Sequence, residues 1–168
     1  MSGTDYNKRI GAPDSERTLH IGFTVEEPRW RAVSLSKLRR AAKLALLRGQ
    51  GSGELTILLS SDERLCALNA RHRGKQMPTN VLAFPAGGRV TGYLGDVAIA
   101  YGVAETEAEA AGKPLADHAA HLVVHGVLHL VGYDHMTTRQ ARLMEKLEVD
   151  ILHELGIANP YLPAVAAE

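Results

Sequence analysis

The sequence predicts an α/β fold in which a mixed four-stranded sheet is packed with helices, in the order β-α-β-α-β-β-α-α-α. Three observations carry this prediction: short apolar or alternating runs typical of strands, longer segments with helical periodicity, and cap or turn residues between them. A helix between the first two strands makes them parallel through a right-handed crossover. A short glycine-containing link between the last two strands indicates an antiparallel hairpin.

The first half of the chain alternates strand and helix. Residues 18–25 alternate polar and apolar side chains, which is typical of a half-buried strand. Ser34 or Ser36 caps a helix that extends to about residue 47 and ends at the glycines that follow. The run LTILLS at residues 55–60 predicts a buried strand, and Ser61 caps a helix to about residue 72.

The second half predicts two strands and then three helices. Residues 80–84 form a strand that Pro85 stops, and residues 93–100 (YLGDVAIA) form its hairpin partner. A polar, acidic stretch follows as a short helix, and the next helix is apolar nearly all round, which predicts that it is buried. Thr137 or Thr138 caps the last helix. These three helices are expected over residues 104–111, 115–131 and 138–155.

Length and composition limit the classes of protein to which the chain can belong. The 168 residues predict one folded domain over residues 17–158, between flexible tails at residues 1–16 and 159–168. The chain has equal counts of acidic and basic residues and thus no net positive charge, so nucleic acid would have to bind a local basic patch. The single cysteine, Cys66, excludes an internal disulfide and a cysteine-based zinc cluster. The absence of a signal-peptide pattern or an apolar spanning run predicts a soluble cytoplasmic protein without a membrane partner.

The most informative segment is HGVLHLVGYDH, at residues 125–135. His125 and His129 lie one helical turn apart on the same face, and Gly132 lets the chain turn so that His135 reaches the same point. Neutral imidazole is a common zinc ligand, and three protein ligands leave one position open, as in catalytic sites. The segment therefore predicts a zincin-like metal helix with one Zn²⁺ per chain, although nickel and copper also bind imidazole.

The histidine spacing equals that of the metzincin signature HExxHxxGxxH, with one difference. Gly126 stands where that signature has glutamate, the general base of those metalloproteases. A metal ion lowers the pKa of bound water to about 7, so hydroxide is available without a dedicated carboxylate. The pattern thus favours a hydrolytic zinc site and argues against peptide cleavage by the usual route.

Four further residues have candidate roles beside the three histidines. His121 precedes His125 by one turn, and we interpret it as packing or hydrogen-bonding next to the site, with His118 on the surface. Asp134 is a candidate for orienting a ligand ring from outside the coordination sphere, or for forming the turn. Asp96, in an otherwise apolar strand, either belongs to a turn or faces the site.

A basic segment, LNARHRGKQMPTNVLAFP at residues 68–85, supplies candidate substrate contacts. Arg71, Arg73 and Lys75 lie where a helix gives way to a loop, which by itself is also typical of a solvated surface. A hydrolase of phosphodiesters needs cations for the charge that develops on the phosphoryl oxygens, and the planar guanidinium of arginine holds two of these oxygens. Thr79 and Asn80 would place polar groups at the same cleft.

These segments resemble the motifs of the YbeY family of bacterial endoribonucleases and rRNA maturation factors. HGVLHLVGYDH closely matches that family's H-G-x-L-H-L-x-G-Y-D-H signature. The basic segment and LGDVAIA resemble its other two motifs, in the same order, so that the resemblance spans roughly residues 60–148. It implies that His125, His129 and His135 bind zinc and that Arg73 is the arginine associated with ribonuclease activity.

The resemblance also implies a function. Its members are single-strand-specific endoribonucleases that act in maturation of the 16S rRNA 3′ end and in ribosome quality control, which makes the small ribosomal subunit a partner. Departures from the family pattern are small: Ala83 stands where serine is common, and Asn80 where either asparagine or aspartate is found. Neither departure affects the metal site.

Three functions are compatible with these residues. The first is a zinc-dependent endoribonuclease in which Arg73 stabilises the charge at the phosphodiester and the RNA contacts Arg71, Lys75, Thr79 and Asn80. The second is a ribosome assembly factor with weak or no nuclease activity, whose zinc is mainly structural; the absent carboxylate base keeps it open. The third is a zinc hydrolase of another bond, such as an amide, which Gly126 disfavours.

Overall fold

The computed structural model describes residues 18–74, 79–87 and 92–163. The strands of the described residues are β1 (Leu19–Val25), β2 (Gly53–Ser60), β3 (Val81–Pro85) and β4 (Tyr93–Ala100). Their α-helices are α1 (Leu35–Arg48), α2 (Asp62–Arg73), α3 (Tyr101–Ala110), α4 (Leu115–Leu130) and α5 (Thr138–Glu154). The predicted order of strands and helices is confirmed.

The strands form a mixed sheet in the order β1-β2-β4-β3. β1 and β2 are parallel, with Leu19 opposite Gly53 and Val25 opposite Leu59. β4 is parallel to β2 and antiparallel to β3. The predicted parallel crossover and the predicted hairpin are both confirmed, and β3 lies at one edge of the sheet that the described residues form.

Side-chain caps determine where three of the helices begin. The side chains of Ser34, Ser61 and Thr137 each accept a hydrogen bond from the backbone N–H three residues ahead. Gln140 completes a capping box at Thr137. These bonds satisfy donors that the first turn of a helix leaves free, so the cap residues of the sequence set the starts of α1, α2 and α5.

Several boundaries at the sheet differ from the prediction: β2 begins at Gly53 rather than at residue 55, and β3 at Val81 rather than at residue 80. Pro85 is the last residue of β3, opposite Gly95, rather than the residue that stops the strand. The next N–H, that of Ala86, bonds to the carbonyl of Leu94 at 3.0 Å, so the nitrogen of Pro85 faces away from β4. Proline costs no ladder bond in that position. α3 begins at Tyr101, directly after β4, rather than at residue 104.

A short 3-10 helix, Pro28–Ala32, was not predicted. It places Trp30 fully inside the core, where the indole N–H donates a hydrogen bond to the Ser60 carbonyl at 2.9 Å. The Trp30 ring also meets the ring of Tyr101 edge to face, with centroids 5.1 Å apart. Both partners are distant in the sequence, so the local pattern could not indicate this turn.

The two faces of the sheet are covered by different helices. On one face, α1, α4 and α5 pack over the larger apolar core, to which Val97 and Ile99 contribute from β4. On the other face, α2 packs on a smaller cluster that includes Leu65, Ala98 and Ala100. Successive side chains of a strand point to opposite faces, so Val97 and Ile99 of β4 face α4, while Ala98 and Ala100 face α2.

The ends of the chain differ in what the structure describes. The predicted tail at residues 1–16 lies outside the described residues, as do residues 164–168. Residues 159–163 are described, and the hydroxyl of Tyr161 donates a hydrogen bond to Glu148. The first part of the C-terminal segment, expected to be flexible, is therefore held against α5. Within the described ranges, the helices are too short or too polar to cross a membrane.

Candidate metal centre

Three histidine rings meet where α4 ends. His125 and His129 lie one turn apart on α4, and Gly132, with a φ of 103°, reverses the chain so that His135 joins them. One ring nitrogen of each histidine lies within 4.8 Å of the other two. The Nε2 atoms of His125 and His129 are 3.1 Å apart. Nitrogens that share a tetrahedral zinc at about 2.0–2.1 Å lie about 3.3 Å from one another. The three rings therefore fit a divalent cation.

An open cavity of about 590 Å³ lies in front of these rings. One wall is β3 and the residue before it, namely Asn80, Val81, Ala83 and Pro85. The other wall is the end of α4 and the turn that follows, including all three histidines together with Gly126, Gly132, Tyr133, Asp134 and Met136. A cavity of this size is typical of ligand sites, so the candidate ligands face space that admits a substrate segment.

Burial and two neighbouring rings favour the neutral form of His129. Burial lowers the pKa of His129, and His125 and His135 lower it further, to about 4. The Asp134 carboxylate and a hydrogen bond with the Tyr133 backbone oppose this shift. A histidine binds a metal only when neutral, so His129 has no proton to lose before it binds a cation at neutral pH.

A buried carboxylate that the sequence analysis did not single out contacts His125 from behind. Glu148 of α5 is 1% exposed. Its oxygens accept hydrogen bonds from Nδ1 of His125 and Nε2 of His121, both at 2.7 Å, and from the Tyr161 hydroxyl. Burial raises the pKa of Glu148, but these three hydrogen bonds outweigh it and lower the pKa to about 2. Glu148 is therefore ionised inside the protein.

A signal for Glu148 is present in the sequence. The buried residues of α5 are Met144, Glu148, Ile151 and Leu152, which share one helix face. A carboxylate in an apolar stripe requires hydrogen-bond partners, because a buried charge without them is costly. That rule indicates a polar partner for Glu148, but the identity of the partner depends on how α5 packs against α4.

The structure places Asn80 on the cavity wall. Its Nδ2 donates to both carboxylate oxygens of Glu107 on α3, at 3.0 and 3.3 Å, which leaves the amide oxygen for other contacts. The hydroxyl of Thr79 lies 3.5 Å from the Val81 carbonyl, beside the cavity rather than in its lining. His118 also bonds to Glu107, at 3.1 Å, and its side chain is 13% exposed, so the expected surface position of His118 is wrong.

The two candidate aspartates make other contacts. Asp134 lines the cavity and accepts a hydrogen bond from the backbone N–H of the next residue, His135, at 2.7 Å. Asp96 accepts a hydrogen bond from the Tyr93 hydroxyl at 2.6 Å. Its neighbour Val97 lies against Gly126 of α4, so Asp96 points to the opposite face of the sheet. The expectation that Asp96 faces the site is therefore not met.

The two described parts of the basic segment lie at different places: residues 68–74 end α2, on the face of the sheet opposite α4, and residues 79–85 lead into and form β3 beside the cavity. Arg71 is exposed in the last turn of α2, which ends at Arg73 and is followed by Gly74 in the left-handed conformation. The side chain of Arg73 and all of Lys75 lie outside the part of the chain that the structure describes. The described chain resumes at residue 79, next to Asn80 on the cavity wall. The roles of Arg71, Arg73 and Lys75 stay predictions.

Fold and site together define a class of protein: a mixed α/β sheet protein whose buried helix and following turn present three histidines that could hold a metal ion. Residues 23–156 match the family model described as Endoribonuclease YbeY. This match covers most of the chain. The chain therefore belongs to the YbeY family, as its motifs predict.

Curated proteins named Endoribonuclease YbeY are similar to this chain over most of its length. The protein from Dinoroseobacter shibae is 41% identical, over 89% of this chain and 94% of its own length. That from Ruegeria pomeroyi is 45% identical, over 84% of this chain and 97% of its own. That from Parvibaculum lavamentivorans is 43% identical, over 95% and 94%.

The fold is also similar to a solved structure. The solution structure of TM1509 from Thermotoga maritima superposes with a TM-score of 0.55 and covers 84% of this chain and 99% of its own. The two sequences are 21% identical. This likeness supports the fold alone.

Proposed function

We propose that the chain is a zinc-dependent endoribonuclease that cleaves single-stranded RNA. The observation that carries the proposal is the meeting of His125, His129 and His135 within 4.8 Å at an open cavity. Membership of a family described as endoribonucleases supports RNA as the substrate. Imidazole suits zinc first among the metals that such a site takes, and one ion per chain is expected.

In this proposal, the cavity residues and the basic segment at residues 68–85 would have different roles. The three histidines would hold the cation, which supplies Lewis acidity and lowers the pKa of a coordinated water to about 7. Arg73 would lie against the phosphodiester, where its guanidinium stabilises the charge that develops on the phosphoryl oxygens. The Asn80 amide is fixed by Glu107, so its oxygen would accept a hydrogen bond from the RNA. Arg71, Lys75 and Thr79 would contact the RNA backbone next to it.

The cellular substrate in this proposal is 16S rRNA, cleaved during maturation of its 3′ end and in ribosome quality control. The support is the set of three motifs shared with the YbeY family, of which the histidine motif is the most specific. The small ribosomal subunit would then be the partner and the cytoplasm the compartment.

Removal and return of the metal tests the proposal. Protein stripped with a chelator, and the same protein reloaded with one equivalent of Zn²⁺, are given a single-stranded RNA, the same RNA as a duplex, and a peptide. The proposal expects cleavage of the single strand by the reloaded protein only. Cleavage of RNA by metal-free protein would overturn it. Zinc-loaded protein that binds the small subunit but leaves RNA intact would instead support an assembly factor with a structural zinc.

A further inference from the structure

We propose that Glu148 is a positioning residue of the metal centre and that Tyr161, from the C-terminal segment, completes it. Neither residue belongs to the motifs that carry the family resemblance or lies in the cavity that faces the three histidines. The inference rests on the proposed role of His125, His129 and His135 as cation ligands, but not on RNA as the substrate.

The hydrogen bond between Glu148 and His125 decides which nitrogen of the ring can bind a cation. Nδ1 of His125 lies 2.7 Å from Oε1 of Glu148, and this oxygen is placed to accept a hydrogen bond from the ring, so Nδ1 carries the proton. The other nitrogen, Nε2, then presents its lone pair towards Nε2 of His129, 3.1 Å away. A ring without such a partner can carry its proton on either nitrogen. A carboxylate behind a ligating histidine fixes the tautomer and raises the basicity of the ligand.

The remaining oxygen of Glu148 is also engaged. Oε2 accepts from Nε2 of His121 at 2.7 Å and from the hydroxyl of Tyr161. These two donors and His125 together hold a carboxylate that is 1% exposed, so its orientation is set from three sides. Because α5 begins three residues after His135, the same helix that follows the last ligand supplies the group that orients the first one.

Tyr161 contacts Glu148, which is not one of the three candidate ligands, so this contact can be removed separately. Tyr161 is 46% exposed, and its ring lies edge-on to the ring of His121, with centroids 5.7 Å apart. The hydroxyl reaches Glu148, 13 residues earlier in the chain. Replacing Tyr161 by phenylalanine therefore removes one hydrogen bond to the carboxylate and leaves every histidine in place.

Zinc affinity is the direct readout of this inference. We would measure the dissociation constant for Zn²⁺ by competition with a chromophoric chelator, for the full chain and for Glu148→Gln, Tyr161→Phe and Asp150→Asn. Asp150 is exposed on the same helix, so its variant is a matched control for the loss of one negative charge. Loss of an outer partner costs about 10- to 100-fold in metal affinity, which we expect for Glu148→Gln. Tyr161→Phe should weaken binding about two- to tenfold, and Asp150→Asn should leave it unchanged.

Two further measurements distinguish positioning from general stability. If Tyr161 acts through Glu148, then Tyr161→Phe should have no additional effect on zinc affinity in the Glu148→Gln background. In metal-free wild-type protein, ¹⁵N-edited NMR of the imidazoles should show the proton of His125 on Nδ1. A proton on Nε2, additive effects of the two variants, or equal zinc affinity in wild type and Glu148→Gln would each overturn the inference.

The outcomes also separate this inference from the proposed function. If wild-type protein binds no zinc, both the inference and the proposed function are wrong. Tight zinc binding that is insensitive to Glu148 and Tyr161 would remove the inference and leave the proposed endoribonuclease standing. Zinc affinity that depends on both residues, in a protein that cuts no RNA, would keep the inference and overturn the proposed function.

Discussion

Gly126 of α4 lies so close to Val97 of β4 that a Cβ on residue 126 would come within 2.5 Å of Cγ1 of Val97. This is the position at which the metzincin signature has its catalytic glutamate. A side chain at residue 126 would therefore force Val97 or α4 itself to shift. Close packing between α4 and β4 thus favours glycine at the position where the metalloproteases carry their carboxylate base.

The packing at Gly126 predicts a stability cost for alanine. Gly126→Ala should lower the free energy of unfolding by about 1–3 kcal/mol, which is typical of overpacking a tight core. Urea unfolding measures the effect. The double variant Gly126→Ala with Val97→Ala should be less destabilised than the sum of the two single variants, because the removed methyl groups make room for the new one. A cost near zero for Gly126→Ala would show that the contact is not tight.

The lowered pKa of His129 predicts how acid affects the metal-free protein. Its pKa is about 4 in the fold against 6.5 for a free histidine. Between these values the unfolded chain binds more protons at this residue than the folded one, so stability should fall as the pH falls from about 6.5. The low pKa of Glu148 acts in the same direction, but only below about 4.5.

Urea unfolding of chelator-treated protein, measured at several pH values between 6.5 and 4.5, isolates the contribution of His129 to the free energy of unfolding. The variant His129→Gln should show a shallower loss of stability over this range, since it lacks the titrating ring. Equal pH dependence in the two proteins would contradict the lowered pKa.

Arg73 should separate metal binding from cleavage. Arg73→Glu is expected to keep its zinc and to cleave single-stranded RNA at least about 100-fold more slowly, because charge stabilisation of this kind contributes about that much to the rate. Metal content and initial cleavage rates check this. Arg31→Glu makes the same charge change at an exposed residue after β1, at the other edge of the described sheet, and should cleave like wild type. Wild-type cleavage by Arg73→Glu would refute the assigned role.

Local signals predicted much of the fold. Ser34, Ser61 and Thr137 cap the helices where cap chemistry expects them, since that chemistry lies within three residues. The histidine spacing likewise predicted a cluster that depends only on one helix and one turn. The turn around Trp30 depends on contacts with the distant residues Ser60 and Tyr101. The first turn of α3 likewise donates the Val103 N–H to the distant Asp62 at 3.0 Å, so the sequence did not reveal where it starts.

The parts of the site that the sequence did not predict depend on tertiary contacts between separate elements. Glu148 lies 23 residues after His125 in the sequence, and the two side chains meet only because α5 packs on α4. For Asp96, a lone carboxylate in an apolar strand, the sequence left two alternatives: a turn residue or a residue that faces the site. Gly95, with a φ of 135°, lies where the register between β2 and β4 shifts, and which face Asp96 then takes depends on that irregularity.

In the proposed function, RNA cleavage requires a cation held by three histidines. The most direct test measures zinc content and cleavage of single-stranded RNA together, in His129→Ala and in His153→Ala, which replaces an exposed histidine of α5. We expect His129→Ala to retain its fold, bind little or no zinc and cut no RNA, while His153→Ala keeps one zinc per chain and the wild-type rate. Wild-type cleavage by zinc-free His129→Ala would contradict the proposed function.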